Sequence, residues 1–562
     1  MVKKVKSSPK DDDFISNIFS KNVSTLSHLM SASQNYLTAM AKYTNDFMLP
    51  YLIAMSYFNN VEKYRLWSAS PLETVQSYMD LLAFNLDLIG KSITGGMEAM
   101  ANSGKKEMEN AVAAIFNTLF CADSEELEDY LERQTKMMDV MANRYPQAIQ
   151  DIEPEYGFHF ERGDNKKVAE TDRFILYQIL PTDKKVNVNK NGKPVLILPP
   201  YVLGANILAF LPYENKSYTH CFANQGIPTY IRILKDIYTN EAVQVMTAED
   251  DALDTRLFCE KVKKIHGKPV TLNGYCQGGF FAVCNLLSGE LDGLVDALIT
   301  CVAPIDGTKS RGLANFFDSM PQRFYDLAYG TKTLPNGNKV VDGKLMGWIY
   351  KLKSIGDESP VATFYRDLMM FGRQEDKDVK ISKTAAAINY WMSNERNDLP
   401  IEITHKSFVS YNIPISKYGT LPVTLFGRKL NFKRLQEKGI KWLICYGERD
   451  DLVEKEAALA PLDYIDVEVT PFPKGHVAIA TSWSNPTSAC ALYTRFGDQN
   501  YRGPVRYQLD LDEEINGLDT KSVKKTASKS SKEKTTVKSV AKSGKDNTMA
   551  IIKNNKKKPV ER

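Results

Sequence analysis

The segment Val270-Thr-Leu-Asn-Gly-Tyr-Cys276-Gln-Gly-Gly-Phe-Phe-Ala-Val-Cys-Asn-Leu-Leu287 decides the fold of this chain. It predicts a short apolar strand, a glycine-flanked turn with Cys276 at its apex, and an apolar helix. Positions 274 and 278 require glycine for a steric reason, because a side chain in so tight a turn would collide with the neighbouring strand or helix. The strain lifts the sulfur above the N-terminus of the helix, where the helix dipole favours a thiolate.

A strand, a strained turn and a helix in this order are the nucleophile elbow of α/β-hydrolases, here with cysteine in place of serine. The alternative is a buried free cysteine in an ordinary strand-to-helix turn, since free cysteine is among the most buried residue types. The agreement of strand, glycine spacing and helix favours the elbow. Cys276 is therefore the candidate nucleophile.

Strand and helix patterns alternate from about residue 170, which predicts a mainly parallel sheet covered on both faces. The predicted strands are 174–180, 194–200, 229–234, 270–273, 296–302, 442–446 and 467–470, with a helix at 253–265. Residues 165–305 and 436–515 would form an α/β-hydrolase core. We expect the aromatic-rich segment 306–435 to lack regular strands and to be a cap inserted over the active site.

Residues 14–150 carry apolar side chains mostly at three- and four-residue steps, which predicts a helical N-terminal domain. Packing of helix on helix is the favoured explanation of these apolar faces. The alternative is an amphipathic surface for dimerisation or for a hydrophobic granule. Residues 1–13 and 518–562 are polar and are predicted to be disordered.

Composition is that of a soluble globular protein, with 43% hydrophobic and 25% charged residues. The eight cysteines are scattered without zinc-ligand spacing, so we expect no metal site. Cys259, Cys284 and Cys301 lie in apolar stretches, as reduced core thiols would, which predicts a cytoplasmic location. No run of about 18 uncharged apolar residues exists, so no transmembrane segment is predicted.

Charge is concentrated at the C-terminus. Residues 521–562 hold thirteen lysines and one arginine against three acidic residues, a formal charge of +11. The chain as a whole carries +4, so the other residues sum to −7. Two hypotheses stay open for this tail: a solvated segment without a partner, or a segment that binds nucleic acid or an anionic granule surface.

A thiolate nucleophile needs a base, and the base needs a carboxylate that orients it. In this fold, both residues follow the nucleophile in the sequence and lie on loops after late strands. The strand 442–446 runs into Gly-Glu-Arg-Asp450-Asp451, and the strand 467–470 is followed by Gly475-His476. His476 is the only histidine after position 405, which nearly forces its assignment as the base. Asp450 is favoured over Asp451, which would begin the next helix as a cap.

Two further groups complete the predicted site. The backbone N–H of Gln277, the residue after the nucleophile, is the expected oxyanion donor, with a second donor near Val202 in the loop after the strand 194–200. His405 and Asp306 are weaker candidates from the cap or a strand end. The predicted catalytic set is thus Cys276, Asp450 and His476.

These motifs together resemble polyhydroxyalkanoate synthases. The resemblance rests on Gly-Tyr-Cys276-Gln-Gly-Gly, on Leu198-Pro-Pro-Tyr with Ile207-Leu208, on Gly447-Glu-Arg-Asp450 and on Gly475-His476, and it covers roughly residues 170–500. Members of that family polymerise (R)-3-hydroxyacyl-coenzyme A into storage polyester and release coenzyme A. They often work as dimers.

The resemblance implies an acyltransferase that needs no cofactor, with acyl-coenzyme A and polyester as substrates and a cytoplasmic, granule-associated location. Cys276 would hold the growing acyl chain as a thioester and His476 would deprotonate it. Asp450 would orient His476 or activate the incoming 3-hydroxyl. Leu203-Gly204 and Asp450-Asp451 stand where the family has Asn-Lys and Asp-His. A cysteine-triad hydrolase such as a polyester depolymerase or thioesterase, another acyltransferase, or a non-catalytic granule protein therefore remain alternatives.

Overall fold

The computed structural model of the chain describes residues 30–48, 60–120, 125–321, 330–372, 379–472 and 475–477, together with residue 27. The polar ends predicted to be disordered, residues 1–13 and 518–562, lie outside the described residues. So does the end of the predicted core, residues 478–515.

The described part of the N-terminal region is helical, as its apolar steps predict. Its helices are α1 (30–48), α2 (Pro71–Phe120), α3 (Leu127–Asp139) and α4 (Tyr145–Asp151), with a short helical stretch at 60–66 and a π-helical turn, Val140–Arg144, between α3 and α4. With 50 residues, α2 is about 75 Å long at 1.5 Å per residue. None of the described helices is both long enough and apolar enough to cross a membrane.

An eight-stranded sheet forms the core. Its strands confirm the seven predicted ones, and β1 is an eighth strand that was not predicted. The strands are β1 (Asn165–Glu170), β2 (Phe174–Ile179), β3 (Val195–Leu198), β4 (Thr229–Leu234), β5 (Val270–Tyr275), β6 (Val295–Cys301), β12 (Lys441–Gly447) and β13 (Glu468–Phe472). Their order is β1-β2-β4-β3-β5-β6-β12-β13. Only the pairs β1–β2 and β2–β4 are antiparallel, and the other neighbours are parallel. This mainly parallel sheet with helical crossovers is the α/β-hydrolase arrangement.

Helices cover both faces of the sheet, which explains why β3 and β5 are buried at every position. The helices of the core are α5 (Tyr218–Ala223), α6 (Glu241–Gln244), α7 (Ala248–His266), α8 (Gln277–Ser288), α15 (Lys433–Glu437) and α16 (Lys455–Ala458). α7 contains the predicted helix 253–265. It begins at a capping box of Thr247 and Asp250 and ends at Gly267, whose φ of 69° suits glycine.

The segment 306–435 is mostly helical but also contains strands. Its helices are α9 (Arg311–Ser319), α10 (Gly343–Lys353), α11 (Ile355–Glu358), α12 (Pro360–Phe371), α13 (Lys383–Asn394) and α14 (Ile401–Asn412). Its strands are β7 (Thr331–Thr333), β8 (Lys339–Val341), β9 (Leu399–Pro400), β10 (Thr420–Leu425) and β11 (Arg428–Asn431), in two small separate sheets.

The prediction that this segment lacks regular strands is wrong. β7, β8 and β9 have only two or three residues each, too few for an alternating pattern to show in the sequence. β10 and β11 form a hairpin whose two-residue turn, Phe426-Gly427, has φ values of 50° and 70°. A turn of that kind normally carries Asn-Gly or Asp-Gly, so Phe-Gly gives no clear sequence signal.

The N-terminal helix α2 packs against α11 and α12 of the segment 306–435. The backbones approach closely where α2 meets α11, because a Cβ placed on Gly95 would overlap the carbonyl of Gly356. Further along, Phe84 and Leu88 of α2 are buried in one cluster with Phe316 and Ile355. The N-terminal helices are therefore joined to the segment 306–435 through α2.

Parallel strands end at a common edge of the sheet, where open α/β sheets bind their ligands. Cys276 follows β5 directly, Asp450 follows β12, and His476 follows β13. β5 and β12 both pair with β6, and β13 pairs with β12. The sheet thus carries the three predicted catalytic residues to one edge.

Candidate active site

Cys276 occupies a strained turn between β5 and α8. Its φ of 51° and ψ of −124° lie outside the usual regions for a residue with a side chain, at a cost of about 1–3 kcal/mol. The N–H of Cys276 donates to the carbonyl of Cys301 at 2.8 Å, which ties the turn to β6. The predicted elbow is present with Cys276 at its apex.

Three glycines make this turn sterically feasible. A Cβ on Gly274 would collide with the backbone of Gly279, and a Cβ on Gly278 would collide with the carbonyl of Leu198 at the end of β3. A Cβ on Gly279 would come within 2.6 Å of the Cβ of Ala303. The steric requirement predicted for Gly274 and Gly278 is confirmed, and it extends to Gly279.

Asp450 and His476 form a hydrogen-bonded pair. Nδ1 of His476 lies 2.8 Å from Oδ2 of Asp450, and the other carboxylate oxygen accepts the backbone N–H groups of Leu452 at 3.0 Å and Val453 at 2.9 Å. The hydroxyl of Tyr275 donates to the carbonyl of His476 at 2.5 Å. The loop that carries the histidine is thus held both to β12 and to the elbow.

The surroundings of His476 favour its charged form. Burial opposes a charge on the imidazole, but the carboxylate of Asp450 and the sulfur of Cys276 outweigh it, so the pKa of His476 is raised well above its ordinary value. Nε2 is buried and makes no hydrogen bond of ordinary geometry to a described residue. With Nδ1–H donated to Asp450, this nitrogen remains available to take a proton from the thiol.

Gln277 links the elbow to two other parts of the structure. Its Oε1 accepts the backbone N–H of Val202 at 3.0 Å, in the loop after β3. Its Nε2 donates to Oγ of Ser407 on α14 at 2.8 Å. The backbone N–H of Gln277 itself donates to no other described residue.

These contacts bear differently on the two predicted oxyanion donors. The N–H of Gln277 makes no hydrogen bond to another described residue, whereas the N–H of Val202 donates to the Gln277 amide oxygen. An oxyanion could use Val202 only if that amide moved. The sequence predicted no role for the side chains of Gln277 and Ser407, because no local motif predicts a contact between residues 130 positions apart.

The weaker candidates lie elsewhere. The carboxylate of Asp451 is 84% exposed and lies 3.7 Å from the ammonium of Lys353. Asp306 is buried, but it accepts hydrogen bonds from Thr308 and from the backbone of Ile415. His405 is exposed on α14. None of the three is paired with His476.

The other described cysteines belong to the protein core. All six described cysteines are free and buried. Burial raises the pKa of the Cys259 thiol to about 12 and raises the pKa values of Cys221, Cys284 and Cys445 further. Those thiols stay protonated and unreactive, so Cys276, next to His476, is the one placed for chemistry.

The site is enclosed. Cys276, Asp450 and His476 are each 6% exposed, and Ser407 of α14, in the segment predicted to be a cap, contacts the elbow through Gln277. A cavity of about 280 Å³ lies beside the loop after β3 and is lined in part by Asn206 and Arg396. A buried nucleophile is shielded from bulk water.

Among proteins of known function, the chain is similar to the poly(3-hydroxyalkanoate) polymerase subunit PhaC of Synechocystis sp. (strain ATCC 27184 / PCC 6803 / Kazusa). The two are 24% identical over 375 residues, which cover 64% of this chain and 89% of the Synechocystis protein. No protein-family model matches the chain.

Solved structures with similarity include a carboxylesterase of the thaumarchaeon Nitrososphaera gargenis, with 14% identity and a TM-score of 0.33 over 56% of this chain and 92% of that one. The thioesterase domain from the curacin biosynthetic pathway shows 11% identity and a TM-score of 0.31 over 57% of this chain and 95% of that one.

Proposed function

We propose that this chain is an acyltransferase of the polyhydroxyalkanoate synthase type, which polymerises (R)-3-hydroxyacyl-coenzyme A through a thioester on Cys276 and releases coenzyme A. The observation that carries the proposal is the buried pair of Asp450 and His476 beside a cysteine at the apex of a nucleophile elbow. The similarity to the Synechocystis polymerase subunit supports the choice of substrate.

In the first step, Nε2 of His476 takes the proton of the Cys276 thiol, and the sulfur attacks the carbonyl carbon of the acyl-coenzyme A thioester. The negative charge on the carbonyl oxygen faces the open N–H of Gln277. The bond from carbon to the coenzyme A sulfur then breaks, and that sulfur takes the proton from the His476 imidazolium. The acyl group remains on Cys276 and free coenzyme A leaves.

In the second step, the 3-hydroxyl of another hydroxyacyl-coenzyme A gives its proton to His476 and attacks the acyl carbon on Cys276. An ester bond forms, and the Cys276 sulfur leaves and takes the proton back from His476. The lengthened chain now ends in a coenzyme A thioester, which acylates Cys276 again and releases coenzyme A.

Cysteine suits this chemistry better than serine. Exchange between two thioesters is nearly thermoneutral, so loading the enzyme costs little free energy, and a thiolate is a good leaving group for the next hydroxyl. The burial of Cys276 supports transfer over hydrolysis, because it keeps water from the acyl-enzyme. We place the coenzyme A end of the substrate at the cavity that Arg396 lines. The polyester product would keep the enzyme at the surface of a cytoplasmic granule.

The test is an assay of purified full-length protein with (R)-3-hydroxybutyryl-coenzyme A. Released coenzyme A is quantified, insoluble polymer is followed by turbidity, and the acylated peptide is identified by mass spectrometry. We expect coenzyme A release, polymer, and an acyl group on Cys276. Cys276→Ala should abolish all three, whereas Cys284→Ala, a change at a buried thiol in the helix that follows Cys276, should leave them in place.

Other outcomes would replace the proposal. Coenzyme A release without polymer would identify a cysteine-dependent hydrolase or another acyltransferase. Equal, negligible release by the wild type and by Cys276→Ala with every acyl-coenzyme A tested would favour a non-catalytic granule-associated protein.

A further inference from the structure

The two predicted oxyanion donors lie on different elements of the structure. Gln277 is the first residue of α8, and Val202 lies in the loop after β3. One oxyanion can accept both N–H groups only if their separation is fixed, because a misplacement of about 1 Å can cost on the order of 100-fold in rate. The contacts that hold this loop to α8 therefore bear on catalysis.

One buried carboxylate bonds to both elements. Asp251, on α7, is fully buried. Its Oδ1 accepts the hydroxyl of Tyr201, the residue before Val202. Its Oδ2 accepts Nδ2 of Asn285 at 2.7 Å, on the same helix as Gln277. Asp251 thus joins, through one oxygen each, the loop of one predicted donor and the helix of the other.

Arg232 of β4 compensates the charge of this carboxylate. It is 1% exposed, and its Nη2 donates to Oδ1 of Asp251 at 2.5 Å while its Nη1 donates to Oγ1 of Thr255 at 2.6 Å. A buried ion pair is tolerated when it is well hydrogen-bonded, but apolar side chains of similar volume often stabilise a fold as well or better. The pair is therefore better explained by the geometry that it imposes than by stability.

Tyr201 is held by its hydroxyl and by its ring. Burial and the neighbouring Asp251 carboxylate raise the pKa of Tyr201 well above its usual value, so the hydroxyl stays protonated and donates. The ring packs edge to face on Phe281 of α8, with the centroids 5.4 Å apart. The loop is thus fixed at Tyr201 independently of the bond between Val202 and the Gln277 amide.

We propose that Asp251 is a positioning residue, which fixes the separation between the N–H groups of Val202 and Gln277 through Tyr201 and Asn285. The link holds the loop in place when the Gln277 amide moves away from Val202, so that both N–H groups can serve one oxyanion. Its effect on acyl transfer rests on the proposed function, whereas the link itself can be measured without activity.

The first experiment uses Tyr201→Phe, which removes only the hydroxyl. Oδ1 of Asp251 keeps its bond to Arg232, so the variant should fold. We expect kcat for coenzyme A release to fall about tenfold with KM little changed, because an oxyanion donor acts mainly in the transition state. The control is Tyr230→Phe, which removes a hydroxyl that lies 2.7 Å from Nε2 of His266, at the other end of α7, and should leave kcat unchanged.

The second experiment compares two inhibitors. A fluorinated ketone analogue of the acyl-coenzyme A forms a tetrahedral adduct with Cys276, and its oxyanion needs the same donors as the transition state. Its affinity should fall about tenfold in Tyr201→Phe, in step with kcat/KM. A thioether analogue has no carbonyl at that position and should bind to the variant and the wild type equally. Equal losses for both analogues would show a distorted pocket and would overturn the positioning role.

The third experiment tests whether Asp251 is the link. Asn285→Ala removes the bond to the other carboxylate oxygen and leaves room for a water molecule at Oδ2. Either change cuts the same connection, so a variant with both Tyr201→Phe and Asn285→Ala should be no slower than the slower single variant. Losses of rate that multiply would show two separate roles and would overturn the proposal.

Hydrogen exchange measures the link without any catalytic activity. Tyr201→Phe should speed amide exchange in peptides that cover residues 199–204, as followed by mass spectrometry, whereas Tyr230→Phe should not. Unchanged exchange in Tyr201→Phe would overturn the proposal. A wild type that releases no coenzyme A would instead refute the proposed function, and the exchange result would then decide the link on its own.

Discussion

The side-chain oxygen of Gln277 accepts the backbone N–H of Val202 at 3.0 Å, so the residue after the nucleophile holds the loop that follows β3. Both residues are less than 9% exposed, and a buried hydrogen bond of this kind is costly to break because its partner is left unsatisfied. The second link of Gln277, to Ser407, extends the connection to α14.

Gln277→Leu keeps the size of the side chain but removes both links. We expect the free energy of unfolding to fall by about 1–3 kcal/mol, since the N–H of Val202 loses its buried acceptor. Acyl transfer should slow by about tenfold, because the loop that shapes the oxyanion site is no longer held. Ser407→Ala is the matched change, since it removes only the link to α14 and should slow transfer less. Equal activity of Gln277→Leu and the wild type would contradict this role.

Asp450→Asn should reduce coenzyme A release by about 10³–10⁴-fold, the scale seen when the orienting carboxylate of a catalytic triad is neutralised. The amide can present its NH₂ group to Nδ1 and so favour the wrong tautomer of His476. Asp451→Asn is the control, because its side chain is exposed and lies away from His476. The steady-state rates of coenzyme A release by the two variants should differ by orders of magnitude. Similar losses of rate would leave undecided which of the two carboxylates orients His476.

The pH dependence of stability follows from the raised pKa of His476. A histidine whose pKa is raised in the folded state stabilises the fold fully when the pH is below its pKa in the unfolded state, about 6.5. This stabilisation is lost as the pH rises through its pKa in the folded state. The unfolding free energy of the wild type relative to His476→Asn should therefore be largest near and somewhat below neutral pH and shrink in alkaline solution. Denaturant titrations across this range would measure it, and a difference that grows with pH would refute it.

Gly278→Ala should destabilise the protein by about 3 kcal/mol or more, or prevent folding, because the added Cβ overlaps the backbone carbonyl of Leu198. Gly356→Ala is the contrasting change: its Cβ would meet only the carbonyl of Lys91, at an ordinary 3.7 Å. Alanine is the better helix former by about 1 kcal/mol, so this variant should be unchanged or slightly more stable. Thermal unfolding of both variants is the measurement, and a tolerated Gly278→Ala would argue against so tight a turn.

Removal of residues 518–562 should abolish any salt-sensitive binding to DNA or to anionic granules, because this removes residues 521–562 with their charge of +11. Binding is measured by mobility shift and by co-sedimentation at low and high salt, with coenzyme A release as the control for an intact core. If the full-length protein binds neither polyanion at low salt, the tail is a solvated segment without such a partner.

Much of the core could be predicted from local patterns. Apolar runs marked β2 to β6, β12 and β13, most clearly β3 and β5, which are buried at every position. The glycine spacing around Cys276 marked a turn that few other residues could occupy. Asp450 and His476 followed from the order of catalytic residues in α/β-hydrolases. Of the strands in the segment 306–435, β7, β8 and β9 were missed because they are too short for an alternating pattern, and β10 and β11 because their Phe-Gly turn gives no clear hairpin signal.

The sequence by itself determined the elbow, the strands of the sheet other than β1, and the only histidine able to serve the nucleophile, because each of these depends on neighbouring residues or on strand order. Only the tertiary structure decided that Asp450 and not Asp451 faces His476, and that Gln277 joins Val202 to Ser407. It also decided that α2 buries one apolar face and exposes the other. The periodicity of apolar residues shows which side chains favour burial. Which of them are buried depends on the packing of elements that are distant in the sequence.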